Sequence, residues 1–385
     1  MTTVLIEDLE PTSADAGVPA HYGDPMREQR TLDTAVGLVD RSNRDVLAVP
    51  GEERASWLHT LTTQHLSDLR AGQGTELLVL SPHGHVEQHA LVAEDGTTAW
   101  LDTEPGAGAG LLGYLEMMRF FTRVEPRDAS TEIAVLSLVV PQAVAAAREH
   151  LGVEPAEPRD ASAEVAVLSL VGPDAPAAVA RLLDIDLVAP RVFDVPGPKF
   201  AAGSVPPAPT ALYDVRPFGA GALARRVSLG VDLLVPRSEL ADVLSLLAGV
   251  PKAGLWAYEA VRVAHRVPRL GWETDHRTIP AEAGFVAPAV HLDKGCYRGQ
   301  ETIARVHHLG KPPRRLVLLH LDGIATDQPP PQGTPVTLDG RAVGFVGTAV
   351  RHHELGMIAL AVLKRNVADA AALVVGESAA AIDAS

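Results

Sequence analysis

The chain has 385 residues, 46 % of them hydrophobic and 21 % charged, with a formal net charge of −15 and a single cysteine. That size allows two or three domains with full cores. The acidity disfavours long-range attraction to nucleic acid or anionic membrane, and one cysteine excludes an internal disulfide.

No run of 18 apolar residues exists, so no membrane span is expected. MTTVLIEDLE is acidic and lacks a basic leader, so a cytoplasmic protein is expected. Residues 1–31 form a polar N-terminal extension. DVLAV at 45–49 alternates as a strand, and residues 53–69 read as one helix with an apolar stripe through Trp57, Leu58, Leu61, His65 and Leu66. Residues 75–95 read as a hairpin turning near Pro82–Gly84, and 111–121 as a helix. This order suggests an α+β layer, with helices on one face of an antiparallel sheet.

Residues 125–141 (EPRDASTEIAVLSLVVP) and 157–173 (EPRDASAEVAVLSLVGP) agree at 14 of 17 positions, at an offset of 32. Two copies do not make a solenoid. A tandem duplication is the reading, with one AVLSLV strand filling the fold and the other added at an edge or outside it. Residues 189–217 carry seven prolines and read as a linker. Residues 237–249 and 254–266 read as helices. From 311 onward, short β-runs alternate with turn clusters, as in a small β-barrel or sandwich.

Four places carry candidate chemistry. DKGCYRGQET at 293–302 holds Cys296 between Gly295 and Gly299, and Lys294 and Arg298 would favour its thiolate. The alternative is a buried, inert cysteine beside a turn. His83, His85, Glu87 and His89 would share one face of an unbroken strand, but Pro82 and Gly84 argue for a turn and against a metal site. The adjacent pairs His307-His308 and His352-His353 would point to opposite faces of a strand, so no metal site is expected there either. On the 254–266 helix, Trp256 and Glu259 could receive a flat heterocycle, the carboxylate accepting two adjacent N–H donors. An ordinary Glu259–Arg262 ion pair explains the same spacing.

KGCYRGQE, Lys294 to Glu301, resembles the signature of the YgfZ-type folate-binding proteins, relatives of the glycine cleavage T-protein (aminomethyltransferase). PGEERASWLHTLTTQHLSDLRAGQG, YLEMMRFFTRVEPRD and LWAYEAVRVAHRVPRLGWETDHRTIPAEAG follow in the family's order, so the resemblance covers nearly all of residues 32–366. It implies an α+β, three-part T-protein-like ring of two mixed α/β domains, at 32–203 and 204–310, and a C-terminal β-barrel at 311–385. It implies tetrahydrofolate or a one-carbon derivative as cofactor. It also implies a role in assembly, repair or maintenance of iron–sulfur enzymes, tRNA-modifying ones included.

Iron–sulfur client enzymes or cluster-assembly proteins would then be partners, direct nucleic-acid binding is not expected, and a monomer is. By the same resemblance Cys296, Lys294 and His89 are the catalytic candidates. Trp256, Glu259, Arg262, Arg119, Tyr297, Gln300 and Glu301 are the folate-site candidates, with Gln300 and Glu301 also bracing the loop. Two departures stand out. His89 takes the place of a T-protein Asp, and Ala264 that of an acidic pterin contact. Both weigh against the alternative, a folate-dependent aminomethyltransferase or demethylase on a small amine, although a His can act as a base near neutral pH. The remaining alternative is an interaction module in which the motif is only a turn.

Overall fold

A computed structural model describes residues 3–10, 12–120, 122–130, 133–138, 166–171, 173, 175–192, 211–324 and 327–383. One long sheet system and one barrel organise it. Across the sheet the neighbours run Arg127–Asp128, Asp45–Pro50, Thr98–Thr103, Val86–Glu94, Gln73–Leu80, Ala211–Phe218, Ala222–Val227 and Gly230–Pro236. Beyond Gly230–Pro236 comes one further position, then Gly37–Arg41, then the short parallel strand Lys252–Ala253.

Helices Arg54–Leu61 and Gly108–Met117 cover one end of the sheet, burying Trp57, Leu58, Leu61, Leu111 and Leu115 against Leu47, Leu77 and Val92. Helices Ala175–Leu183, Leu240–Leu246 and Leu255–Ala264 cover the other, around Val231, Leu233 and Val235. The first helix is shorter than the 53–69 periodicity suggests. It stops at Thr62, whose backbone is extended, because the carbonyls that follow are committed elsewhere, as described below. The GAGAG run at 106–110 opens the Gly108–Met117 helix. Residues 300–309, which carry the end of the loop motif and the His307-His308 pair read as part of a strand, form a helix. Much of the proline-rich stretch lies outside the described residues, but its C-terminal end is the strand Ala211–Phe218.

Both copies of the duplicated segment contribute a strand, Ile133–Leu138 and Ala166–Val171. Neither sits at an outer edge. Both pair with Gly37–Arg41 and with Gly230–Pro236, because the repeated pattern fits the same two neighbours.

The C-terminal part is a closed barrel of Arg314–Leu321, Gly356–Lys364, Arg341–His352, Pro335–Leu338, Leu373–Val375 and Ser378–Ile382, the last pairing back to the first. Closure leaves no strand edge exposed. Asp33, on helix Pro25–Thr34, ties the barrel to the rest. It meets His353 Nε2 at 2.5 Å and His352 Nε2 at 3.5 Å. His352 ends its strand, so face alternation does not separate the pair, and the two rings stack at 4.7 Å. His352 Nδ1 accepts the backbone N–H groups of Glu354 and Leu355. Its Nδ1 lone pair is thus engaged, and Nε2 is the ring atom turned toward Asp33, so the three side chains converge where the sequence expectation had kept the histidines apart.

A chain of buried ion pairs crosses the molecule. Arg225 donates to Asp232 (2.7 Å) and Asp102 (2.6 Å), and Arg44 donates to Asp102 (2.9 Å) and Glu104 (2.7 Å). Arg269 joins Glu104 (2.7 Å), Asp15 (2.8 Å) and Glu259 (3.2 Å). Arg262 joins Glu259 and Glu273, and Thr348 of the barrel donates to Glu273 at 2.6 Å. Removing one partner of such a pair strands its neighbours' charge in a dry interior. Arg225→Met, which abandons two carboxylates at once, is expected to lose about 3–5 kcal/mol of unfolding free energy. Urea denaturation monitored by circular dichroism checks this.

Candidate functional site

The KGCYRGQE segment is built into the fold by its flanks. Lys294 is buried, and its ammonium donates to the carbonyls of Thr62 (2.6 Å), Gln64 (2.9 Å) and His59. Those three carbonyls belong to the end of the first helix and the turn after it, which explains the early stop at Thr62. Burial draws the Lys294 pKa down to about 7, and the carbonyl cage opposes this by solvating the charge. Tyr297 is buried in the cluster with Leu80, Val86, Phe285 and Ile303, and Lys294 Nζ stands 5.2 Å over its ring. Gly299 is left-handed at φ +79°, where a Cβ would lie 2.6 Å from the Ser81 carbonyl. Glycine there lets the loop close onto the 81–85 hairpin turn and start helix Gln300–Leu309.

These contacts correct the expected division of labour around the cysteine. Lys294 points at backbone carbonyls, and Arg298 pairs with Glu87 at 3.1 Å, so both cations have partners other than the thiol. Cys296 itself is exposed and not buried. Gln300 Nε2 donates to the Lys294 carbonyl at 3.3 Å and so braces the loop, whereas Glu301 is exposed and pairs with Arg305 along its own helix.

A cavity of 290 Å³ lies between the sheet, helix Leu255–Ala264 and the 266–288 segment and is lined by Arg41, Arg44, Glu76, His89, Tyr213 and Phe285, among others. Glu76 Oε2 lies 2.8 Å from His89 Nε2, and Tyr213 donates its hydroxyl to Glu76 Oε1. Burial would raise the Glu76 carboxyl. The hydrogen bond and charge of His89 and the bond from Tyr213 outweigh it and hold the group below its ordinary range. The His89 ring leans on Phe285 at 4.8 Å. Arg41 stacks over Tyr258 at 4.3 Å and makes no ion pair among the described residues.

The folate-site candidates are only partly brought together. Arg262 lines this cavity. Glu259 is buried beside it, and both its oxygens accept from Arg262 Nε at 2.8 Å. The ordinary ion-pair reading of the Glu259–Arg262 spacing is therefore what the geometry shows. Trp256 faces a second cavity of 1030 Å³ with Trp272 and the 328–332 segment, across the Arg269–Glu104 pair. Arg119 lies apart, in a surface depression beside Phe120 and Glu125. Sequence reasoning missed Glu76, Tyr213 and Arg41. Glu76 left one trace, a carboxylate in the strand run TELLVL, while Tyr213 sits within the proline-rich stretch read as a linker.

Comparison with known proteins fits this architecture. Residues 314–384 match the family CAF17, C-terminal beta-barrel domain. A chloroplastic protein of Arabidopsis thaliana named as a transferase is 24 % identical over 337 residues, 86 % of this chain and 66 % of that one. The tRNA-modifying protein YgfZ of Vibrio vulnificus is 34 % identical over 116 residues, 29 % of this chain and 33 % of that one. The matches thus span just under two thirds and one third of those relatives' lengths. The crystal structure of glycine cleavage system aminomethyltransferase T from Bartonella henselae superimposes with a TM-score of 0.70 at 16 % identity, covering 100 % of this chain and 97 % of that one. The class is therefore the aminomethyltransferase T fold closed by a CAF17-type barrel. Over those 116 residues the chain is similar to the YgfZ type. No helix among the described residues is long and apolar enough to cross a membrane.

Three outcomes follow. Glu76, Asp102 and Glu259 are held below their ordinary values by their cationic partners despite burial. Lowered carboxyl pKa values contribute stability above the unfolded-state range near pH 4, and it is lost as pH falls through the folded values. The denaturation midpoint should thus stay level down to about pH 5 and drop below about pH 4, less steeply in Glu259→Gln. Lys294→Met leaves three carbonyls without their donor and should lose about 3 kcal/mol. Cys296→Ser, at an exposed position, should stay within about 0.5 kcal/mol of wild type in the same denaturation assay.

Proposed function

We propose that this protein binds a reduced folate, tetrahydrofolate or a one-carbon derivative, in the 290 Å³ cavity, and that it thereby supports the assembly, repair or maintenance of iron–sulfur enzymes, tRNA-modifying ones included. The observation that carries the reading is the cavity's polar equipment. Glu76 is held ionised by His89 and Tyr213, and each of its oxygens retains a lone pair for an N–H donor of a flat heterocycle. Phe285 and Leu91 supply apolar wall, and Arg41, which makes no ion pair among the described residues, offers a cation to an anionic tail. The cavity suits a two-ring head group, with the remainder of the ligand extending out of it. The likeness to YgfZ and to the aminomethyltransferase fold supports the same ligand class. Cys296, exposed on a rigidly anchored loop, is available to a client protein or small thiol.

Folate-dependent aminomethyl transfer from a small amine is the second reading. The oriented Glu76–His89 pair favours it, since a carboxylate that fixes an imidazole can tune it as a base. Formation of methylenetetrahydrofolate from an amine donor would distinguish it.

Calorimetric titration with tetrahydrofolate tests the binding claim. Wild type should saturate at one site, and Glu76→Gln and Arg41→Ala should each weaken binding about tenfold, roughly 1.4 kcal/mol. No heat with wild type, or equal affinity in both variants, overturns the assignment. In cells, iron–sulfur enzyme activities that are unchanged by Cys296→Ser would remove the cysteine from the proposal.

A further inference from the structure

The single strand position between Gly37–Arg41 and Gly230–Pro236 has two claimants. Leu136 and Leu168 both stand opposite Leu233, and Ser137 and Ser169 both stand opposite Asp232. On the other side Leu136 and Leu168 both stand opposite Asp40. The 32-residue offset of the duplication carries each of these pairings onto the other. A strand offers two hydrogen-bonding edges, and each edge takes one neighbour. Gly230–Pro236 uses its other edge for Ala222–Val227, and Gly37–Arg41 uses its other edge for Lys252–Ala253. One position is therefore shared by two segments of nearly the same sequence.

The flanks do not choose between them. Ahead of the position, it is the first copy that is fastened. Arg127–Asp128 pairs with Asp45–Pro50, Ala129 N–H donates to the Val46 carbonyl at 2.5 Å, and Ser130 Oγ accepts from Val46 N–H at 2.8 Å. Beyond it, it is the helix after the second copy that is fastened, with Ala175, Ala178 and Val179 buried beside Val231 and Val235. The chain enters this region through one copy and leaves through the other. Either strand is compatible with both anchors, provided the surplus repeat leaves the sheet after the position in one case and before it in the other.

We propose that Ile133–Leu138 and Ala166–Val171 are alternative occupants of this one position, so that the protein exists in two threadings related by a 32-residue shift. The copies differ only at Thr131/Ala163, Ile133/Val165 and Val140/Gly172 across the repeated 17 residues, which leaves little to separate the threadings in free energy. The position adjoins the cavity, since Arg41 and Asp232, on its two neighbouring strands, are both cavity-lining residues. The strand that is out presents unpaired backbone, which suits pairing with another strand edge.

Hydrogen exchange with mass spectrometry on the full chain tests this, because the three differing positions give peptides from the two copies different masses. Each copy's peptide should show two mass envelopes, and the protected fractions should be complementary. Two deletions supply references. Removing 125–156 leaves only the second copy, and removing 142–173 leaves only the first, joined to the same helix. Each deletion variant should fold, with a thermal midpoint within about 3 °C of the other, and its remaining copy should show one protected envelope. Full protection of one copy with full exchange of the other overturns the proposal. So does simultaneous protection of both copies, or failure of either deletion variant to fold.

Discussion

The molecule is organised around a line of buried charge. Arg225, Arg44, Arg269 and Arg262 alternate with Asp232, Asp102, Glu104, Glu259 and Glu273, and the line runs from the sheet to Thr348 in the barrel. Asp15, in the N-terminal segment, closes onto Arg269 from the side. An apolar core would hold these parts with equal strength, since buried ion pairs recover little beyond their desolvation cost. What the charges add is geometry. Each guanidinium accepts only certain carboxylate placements, so sheet, arm, helix and barrel are fixed relative to one another. The 290 Å³ cavity beside this line, walled by sheet strands, helix Leu255–Ala264 and the chain that follows it, then keeps its shape. The carboxylates outnumber these arginines, and Arg41, stacked on Tyr258, is the nearby cation left to compensate.

The conspicuous sequence motif serves this framework first. Lys294 fills a cage of three carbonyls, Tyr297 anchors in an apolar cluster, and Gly299 permits contact with the hairpin turn. Lys294, Tyr297, Gly299 and Gln300 thus read as chemistry in the sequence and as masonry in the structure, while Cys296 and Glu301 face outward. The polar groups that equip the cavity, Glu76, His89 and Tyr213, come from strands with no motif around them.

That contrast marks how far the sequence could be read. Helix Leu255–Ala264 and the barrel strands were legible because local periodicity and turn residues dictate them. The first helix was overextended because its stop depends on Lys294, more than two hundred residues away. Glu259 was assigned to a ligand because its spacing from Arg262 was visible and its packing against Arg269 was not. Arg225 could not be singled out at all, since its partners Asp102 and Asp232 are joined to it only by sheet register. The duplication was plain in the sequence, but its meaning required knowing that a single strand position receives both copies.

Closure of the barrel carries a consequence for biosynthesis. Its first strand, Arg314–Leu321, is sealed by Ser378–Ile382, the last strand described. On a ribosome, chain is delivered from the N-terminus, and domains complete as their residues emerge. The sheet system can therefore assemble while the barrel is still an open ribbon. Thr348 can take its settled place at the end of the charged line only after residue 382 has left the tunnel. Until then the nascent protein displays a raw strand edge, and this is the interval in which a chaperone has most to protect.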